Sequence, residues 1–151
     1  MVKYIKKLSS KSLRKTMVPE WDSAYAIGNS FIDAQHKKFF DMAKNVEEAF
    51  FDSVSREKIK ELLQELFVYM KTHFKDEEEL MKKIHYPKYD EHILAHKNII
   101  GKMVKTIQNA KSTNDLKESL YNITQKWLLN HILEEDMQIE QHIQNLKNKS
   151  D

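Results

Sequence analysis

Seven side chains that can bind a metal ion occur at positions where helical patterns would otherwise place apolar residues. They are five histidines and two carboxylates: His36, His73, Glu77, His92, His96, His131 and Asp136. A buried polar group without a partner costs roughly 2–7 kcal/mol, so seven of them inside a core are reasonable only if something binds them. The pattern therefore predicts a metal centre.

The spacing of these residues predicts how they share the centre. Residues four apart on an α-helix differ by about 40° in direction and about 6 Å in height, so both can point at one centre. Two pairs have this spacing: His73 with Glu77, and His92 with His96. His131 and Asp136 are five apart, which separates them by about 140° on an α-helix. We therefore expect these two to reach different sides of a larger centre.

The donor atoms limit the kind of metal. The chain has no cysteine, which excludes thiolate zinc sites, iron–sulfur clusters and disulfides. Five imidazoles exceed the needs of one tetrahedral zinc, and the carboxylates are too few for a calcium cage. Two transition-metal ions bridged by carboxylates fit better. Imidazole suits iron, copper, nickel and zinc alike, so the chemistry of the ligands leaves the element open.

The elements that must position these residues are helices. Only two glycines and two prolines occur in 151 residues, and apolar positions step by three and four along four segments. Ser30, with Asp33 three residues later, predicts a capping box at the start of the first helix. Ser55 is the predicted cap of the second helix, which must end before Pro87.

The fourth predicted helix carries two neighbouring apolar stripes. The first stripe is Leu116, Leu120, Ile123, Trp127 and His131, and the second is Leu128, Ile132, Asp136, Ile139, Ile143 and Leu146. Its buried face must therefore be broad. Four helices joined by short connections predict an all-α, antiparallel up-down-up-down four-helix bundle, with residues 20–29 as an N-terminal arm packed against it.

The chain length fits one domain. Residues 1–18 contain six of the 25 Lys and Arg residues and no acid, so we predict a basic, flexible extension there and a helical domain over residues 19–151. The extension has no convincing amphipathic face, which favours a solvated tail over nucleic-acid or membrane binding, although a targeting peptide stays open.

No apolar run approaches the roughly 20 residues of a membrane span, and no secretory signal is evident. We expect a cytoplasmic protein.

The order of the seven residues resembles that of the hemerythrin family, in particular the single-domain bacterial hemerythrins. The motifs that carry the resemblance are His36, His73-Phe74-x-x-Glu77, His92-x-x-x-His96, His131-x-x-x-x-Asp136, Ile27-Gly28-Asn29, Tyr86-Pro87 and Trp127-Leu128-x-x-His131-Ile132. They cover about residues 20–146. The family commonly has a basic residue after the last carboxylate, where this chain has Met137.

The resemblance implies a centre of two non-haem iron ions joined by an oxo or hydroxo bridge. One iron would be bound by His92, His96 and His131, the other by His36 and His73, with Glu77 and Asp136 bridging. The iron with two histidines keeps an open position for O2, which implies reversible oxygen binding for storage, transport or delivery. Four residues match those that line the family's gas pocket: Phe74, Trp127, Leu128 and Ile132. These four are equally compatible with an ordinary core.

Three other functions stay open at this point. The centre could act as an enzyme on peroxide or nitric oxide, the domain could be an oxygen or redox sensor, or the bundle could lack a metal. Ferritin-like diiron enzymes use Glu-x-x-His pairs, and no histidine here has Glu three residues before it, so we do not expect an enzyme. We exclude His85, beside the predicted helix break, and His142, about 16.5 Å along the helix from His131. The sequence identifies no protein partner.

Overall fold

The computed structural model describes residues 18–150. Within this part of the chain the secondary structure is helical, without a strand, and the predicted four-helix bundle is confirmed. The first three helices are α1 (Ser30–Phe51), α2 (Arg56–Lys83) and α3 (Tyr89–Asn109), and we call residues 113–150 helix α4. No helix among the described residues is long and apolar enough to cross a membrane. The cytoplasmic location stays a prediction.

The N-terminal arm packs on α1 through aromatic rings. It contains one short 3-10 turn, Ser23–Tyr25. The Phe40 ring lies 5.5 Å from both Trp21, edge to face, and Tyr25, stacked. The described chain begins at Val18, which is buried in the same apolar cluster. Residues 1–17 of the predicted basic extension lie outside the described residues.

The cap of α1 differs from the prediction. Asn29, not Ser30, is the N-cap, and its side chain accepts a hydrogen bond from the Ile32 amide at 3.0 Å. The Asp33 carboxylate instead accepts one from the Ile27 amide at 2.7 Å. Gly28, with φ of +92°, makes the turn that brings this amide within reach. The predicted capping box was therefore wrong by one residue.

The ends of α2 follow the sequence more closely. The predicted cap is confirmed, since the Ser55 hydroxyl accepts a hydrogen bond from the Lys58 amide at 3.2 Å. After Lys83 the chain closes in a Schellman motif, in which the Tyr86 amide donates to the Met81 carbonyl at 2.9 Å. His85 occupies the left-handed position of this motif, with φ of 53°.

Helix α4 is wound unevenly. It begins and ends as α-helix, Thr113–Tyr121 and Met137–Ser150, and contains two π-helical segments, Asn122–Leu128 and His131–Asp136. Hydrogen bonds in a π-helix join residues five apart, so each segment shifts the buried positions by one residue. The two predicted stripes are therefore one buried stripe whose register changes. Its predicted last member, Leu146, is exposed.

The seven metal-competent residues form a polar layer between two apolar clusters. On α1, Ile32 of the smaller cluster precedes His36, and Phe39 of the larger cluster follows it. The order is reversed on α2 and α4, where the larger cluster precedes the polar residues and the smaller cluster follows: Met70, His73, Glu77 and Met81 on α2, and Ile132, Asp136 and Ile139 on α4. One polar layer thus crosses the bundle, and an apolar cluster packs on each side of it.

Candidate metal centre

All seven predicted residues come together, and all are buried, with relative exposures between 0% and 4%. They form two overlapping groups whose nitrogen and oxygen atoms lie within 4.8 Å of one another. One group is Glu77, His92, His96, His131 and Asp136, and the other is His36, His73, Glu77 and Asp136. We call them the five-residue group and the four-residue group.

The two shared carboxylates each face both groups. Glu77 turns Oε1 towards His92 Nε2, at 2.8 Å, and Oε2 towards His36 Nε2 and His73 Nε2, each at 3.2 Å. Asp136 repeats this arrangement, with Oδ1 3.0 Å from His131 Nε2 and Oδ2 3.1 Å from His36 Nε2. Each carboxylate therefore offers one oxygen to each side, as a carboxylate that bridges two ions must.

The pairs that are four residues apart behave as the α-helical spacing predicts. His73 and Glu77 project from one face of α2, and the rings of His92 and His96 lie 4.7 Å apart on α3.

The expectation for His131 and Asp136 was wrong. Residues five apart were expected to face different sides, yet His131 Nε2 and Asp136 Oδ1 lie 3.0 Å apart within the five-residue group, which shares Asp136 with the four-residue group. The reason is the π-helical segment His131–Asp136, whose wider turn brings residues five apart onto one face. An α-helical count of the sequence contains no sign of this change of winding.

Hydrogen bonds at the outer nitrogen fix the orientation of His73. Gln35 Nε2 donates to Asp76 Oδ2 at 2.8 Å, because an ionised carboxylate can only accept. Gln35 Oε1 must then accept from His73 Nδ1, at 2.6 Å. The proton of this imidazole is thereby held on Nδ1, which leaves the lone pair of Nε2 directed at the centre.

His96 has an outer partner of a different kind. Its Nδ1 lies 3.0 Å from Glu78 Oε1 in hydrogen-bond geometry. His131 Nδ1 lies 3.1 Å from Glu135 Oε2 but outside hydrogen-bond geometry. Sequence reasoning missed these outer partners because the acidic runs around Glu78 and Glu135 resemble solvated helix faces. The only sequence feature that could have identified Glu78 and Glu135 was their position next to Glu77 and Asp136, which were already candidate ligands.

Several inward-facing atoms lack a hydrogen-bond partner within residues 18–150. They are Nε2 of His73, His96 and His131, and both carboxylate oxygens of Asp136. Five of the carboxylate–imidazole contacts are short, 2.9–3.2 Å, but do not have the direction of a hydrogen bond. Buried polar atoms are normally satisfied, so nitrogen and oxygen atoms that converge without a hydrogen bond between them need another partner. The set fits a metal with nitrogen and oxygen ligands.

In the metal-free chain, protons compensate the two buried carboxylates. Burial alone lowers the pKa of His36, but the adjacent carboxylates of Asp136 and Glu77 raise it to about 9. Burial also lowers the pKa of His131, while the Asp136 charge raises it to about 10. Burial raises the pKa of Glu77, but its imidazole partners hold it well below the ordinary range. A metal ion would have to displace these protons.

Apolar and aromatic groups enclose the centre. The Phe74 ring stacks on His96 with centroids 3.8 Å apart, and the Phe39 ring meets His73 edge to face at 5.0 Å. Leu128 and Ile132 are completely buried in the larger apolar cluster. Trp127 is half-buried, with Lys102 Nζ 5.6 Å from its ring centroid. Lining of a gas pocket by Phe74, Trp127, Leu128 and Ile132 stays a prediction.

The two excluded histidines lie outside both groups. His85 is exposed, as expected. His142 has its Nε2 3.0 Å from the Ile84 carbonyl oxygen, a contact that ties the end of α4 to the end of α2.

The chain is similar to known proteins. A family model described as hemerythrin HHE cation binding domain matches residues 28–143. A bacteriohemerythrin of Campylobacter jejuni is 31% identical over 115 residues, which cover 76% of this chain and 86% of the relative. A hemerythrin-like protein of Naegleria gruberi is 32% identical over 117 residues, covering 78% of this chain and 87% of the relative.

A solved crystal structure of a leucine-to-phenylalanine mutant has a similar fold. The TM-score is 0.65 at 26% identity, and the match covers 81% of this chain and 94% of that one. The family model spans well over half of the chain, and it includes all seven residues of the buried layer. The chain therefore belongs to the hemerythrin family.

Proposed function

We propose that this protein binds O2 reversibly at a non-haem diiron centre, for oxygen storage, transport or delivery. The observation that carries the proposal is the pair of overlapping groups that share Glu77 and Asp136 and point unpartnered atoms at one another. Membership of the hemerythrin family supports iron as the metal.

The proposed ligands divide between the two groups. His92, His96 and His131 would hold one iron, and His36 and His73 the other. Glu77 and Asp136 would bridge them, which the opposite directions of the two oxygens of each carboxylate support. The four-residue group supplies one protein ligand fewer and so leaves room for an external ligand. Two iron ions bound there would supply the two electrons that reversible O2 binding requires.

The chain's own residues protect the centre from water. Phe74 covers the face of the His96 ring, and Leu128 and Ile132 are buried on the same side as the larger apolar cluster. We propose that these residues and Trp127 border the path of O2, since an apolar lining admits O2 and limits water and protons. The centre is rich in nitrogen ligands, which favours reversible binding over oxygen activation, and we propose no enzymatic role.

The test is anaerobic reconstitution with Fe(II), followed by repeated addition and removal of O2 under an absorption spectrometer. The proposal predicts two iron ions per chain and an O2-dependent absorption band that disappears when O2 is removed. Iron should also raise the melting temperature, because only the folded chain has the site. Irreversible oxidation, or steady turnover of peroxide or nitric oxide with a reductant, would argue against a reversible carrier.

A matched pair of variants tests the bridging role. Asp136→Asn keeps the size of the side chain but removes the bridging charge, so we expect bound iron to fall from two ions towards one. Glu134→Gln changes an exposed neighbour on the same helix and should leave the stoichiometry unchanged.

A further inference from the structure

The two ligand groups differ in what holds their imidazoles from outside. Glu78 Oε1 lies 3.0 Å from Nδ1 of His96, which belongs to the five-residue group. Gln35 Oε1 lies 2.6 Å from Nδ1 of His73, which belongs to the four-residue group. A carboxylate therefore supports the first group and a neutral amide supports the second.

We propose that Glu78 is a positioning residue that makes the five-residue group bind its metal ion first and more tightly. This inference rests on the proposed two-metal centre and adds an order of loading to it. A carboxylate that accepts the Nδ1 proton fixes the ring and makes the opposite nitrogen a stronger ligand. An amide also fixes the ring, but it adds less electron density to the imidazole than a carboxylate does.

The surroundings of His96 hold both the plane and the edge of its ring. Phe74 stacks on the face, with an angle of 6° between the planes. Glu78 meets the outer edge, and its side chain keeps 30% exposure, so water can solvate its charge while Oε1 reaches the buried ring. The remaining nitrogen, Nε2, points at Glu77 Oε1 from 3.2 Å. The ring is thus set before any metal arrives.

His73 has no direct outer contact with a carboxylate such as the one that Glu78 makes with His96. Asp76 contacts the amide of Gln35 at 2.8 Å, not the imidazole itself. The five-residue group has a second negative neighbour, since Glu135 Oε2 lies 3.1 Å from His131 Nδ1, although outside hydrogen-bond geometry. Both differences favour tighter metal binding by the five-residue group.

The test titrates the metal-free, full-length chain with Co(II), without oxygen and against a coloured chelator. Two affinities are expected for the unmodified protein. Hyperfine-shifted imidazole N–H resonances then count the histidines bound by the first ion, and three are expected. Glu78→Gln keeps an acceptor but loses the charge, so the first affinity should fall about 10-fold. Glu78→Ala loses both, and the fall should approach about 100-fold. The second affinity should change little.

Two control proteins separate this role from a general effect of charge or packing. Glu79→Gln removes the charge of the exposed neighbouring residue and should leave both affinities unchanged. The double variant Gln35→Glu with Asp76→Asn moves one carboxylate into contact with His73 while the total charge stays the same. It should tighten the second step by about 10-fold. Melting curves of the metal-free variants check that each is folded.

The outcomes distinguish the two proposals. If Glu78→Gln and Glu78→Ala behave like Glu79→Gln, or if the first ion binds only two histidines, the loading order is wrong while the two-metal centre stands. If the unmodified chain binds no Co(II), the two-metal centre is rejected and the loading order with it.

Discussion

Deleting Glu134 should leave the bundle and its metal centre intact. This exposed residue lies in the π-helical segment His131–Asp136, whose hydrogen bonds join residues five apart. Without it the segment can wind as an α-helix in which His131 and Asp136 become four apart, about 40° from each other. Residues on either side keep their faces, so Ile139 stays in the smaller apolar cluster.

The same deletion in an α-helical segment should be damaging. Asn98 is exposed and lies between His96 and Ile99 on α3. Its removal would turn the following residues by about 100° relative to the histidines, and Ile99 and Met103 would leave the core. Losing a buried Ile or Met side chain costs about 2–5 kcal/mol, so the pair costs about 4–10 kcal/mol. That is comparable to the whole stability of a domain, about 5–15 kcal/mol.

The assay compares thermal melts of the two metal-free deletion proteins by circular dichroism, followed by Co(II) stoichiometry. We expect the protein without Glu134 to melt within about 4–8 °C of the unmodified chain, which corresponds to about 2 kcal/mol, and to bind two ions. The protein without Asn98 should be largely unfolded. If the Glu134 deletion unfolds the chain as badly, the explanation of the His131–Asp136 contact by π winding is refuted.

Three further substitutions probe parts of the fold outside the centre. Gly101→Ala on α3 should raise the melting temperature by about 2–4 °C, because a Cβ there meets open space and Ala favours helix by about 1 kcal/mol. His85→Gly should stabilise by roughly 0.5–1 kcal/mol in urea unfolding, because it relieves the left-handed φ of 53°. Burial raises the pKa of Glu47, whose Oε1 lacks a partner within residues 18–150. Glu47→Gln should therefore raise the melting temperature at pH 7 by about 2 °C.

Each of these predictions has a result that would contradict it. A Gly101→Ala protein less stable than the original would mean that this face of α3 is covered. An unchanged His85→Gly protein would mean that the left-handed turn carries no strain. For Glu47 the pKa is raised, so the cost of its charge is absent below the usual value of 4.5 and complete above the raised one. The difference in melting temperature between Glu47→Gln and the unmodified protein should shrink towards pH 4. A difference that grows on acidification would contradict the assignment of a destabilising buried charge to Glu47.

Most of the fold could be predicted from local patterns. Apolar positions that step by three and four identify each helix, and Ser55 as a cap requires only the next few residues. The N-cap of α1 could not be placed, because Asn29 and Ser30 are both good caps. The choice depends on the turn at Gly28, which lets Asp33 bond the Ile27 amide instead of closing a capping box.

The members of the buried polar layer could also be predicted, but not the residues that contact them from outside. Seven polar residues in apolar seams are anomalous by themselves, and a buried position needs an explanation that a surface position does not. Gln35 and Glu78 look ordinary in the sequence, because polar residues on a helix flank usually face water. Their contacts with His73 and His96 arise only when α1 packs on α2 and α2 packs on α3.

The sequence alone determined the four-helix architecture and the seven nitrogen- and oxygen-bearing residues of the buried polar layer, since each depends on residue type and on short, regular spacing. Only the tertiary structure decided that His131 and Asp136 meet within the five-residue group. The spacing of residues does not show whether a segment is α-helical or π-helical. The π-helical segments of α4 change its register, and its apolar side chains stay buried in the bundle. The tertiary structure also decided which side of each carboxylate faces which histidines, because those directions exist only after four separate segments meet.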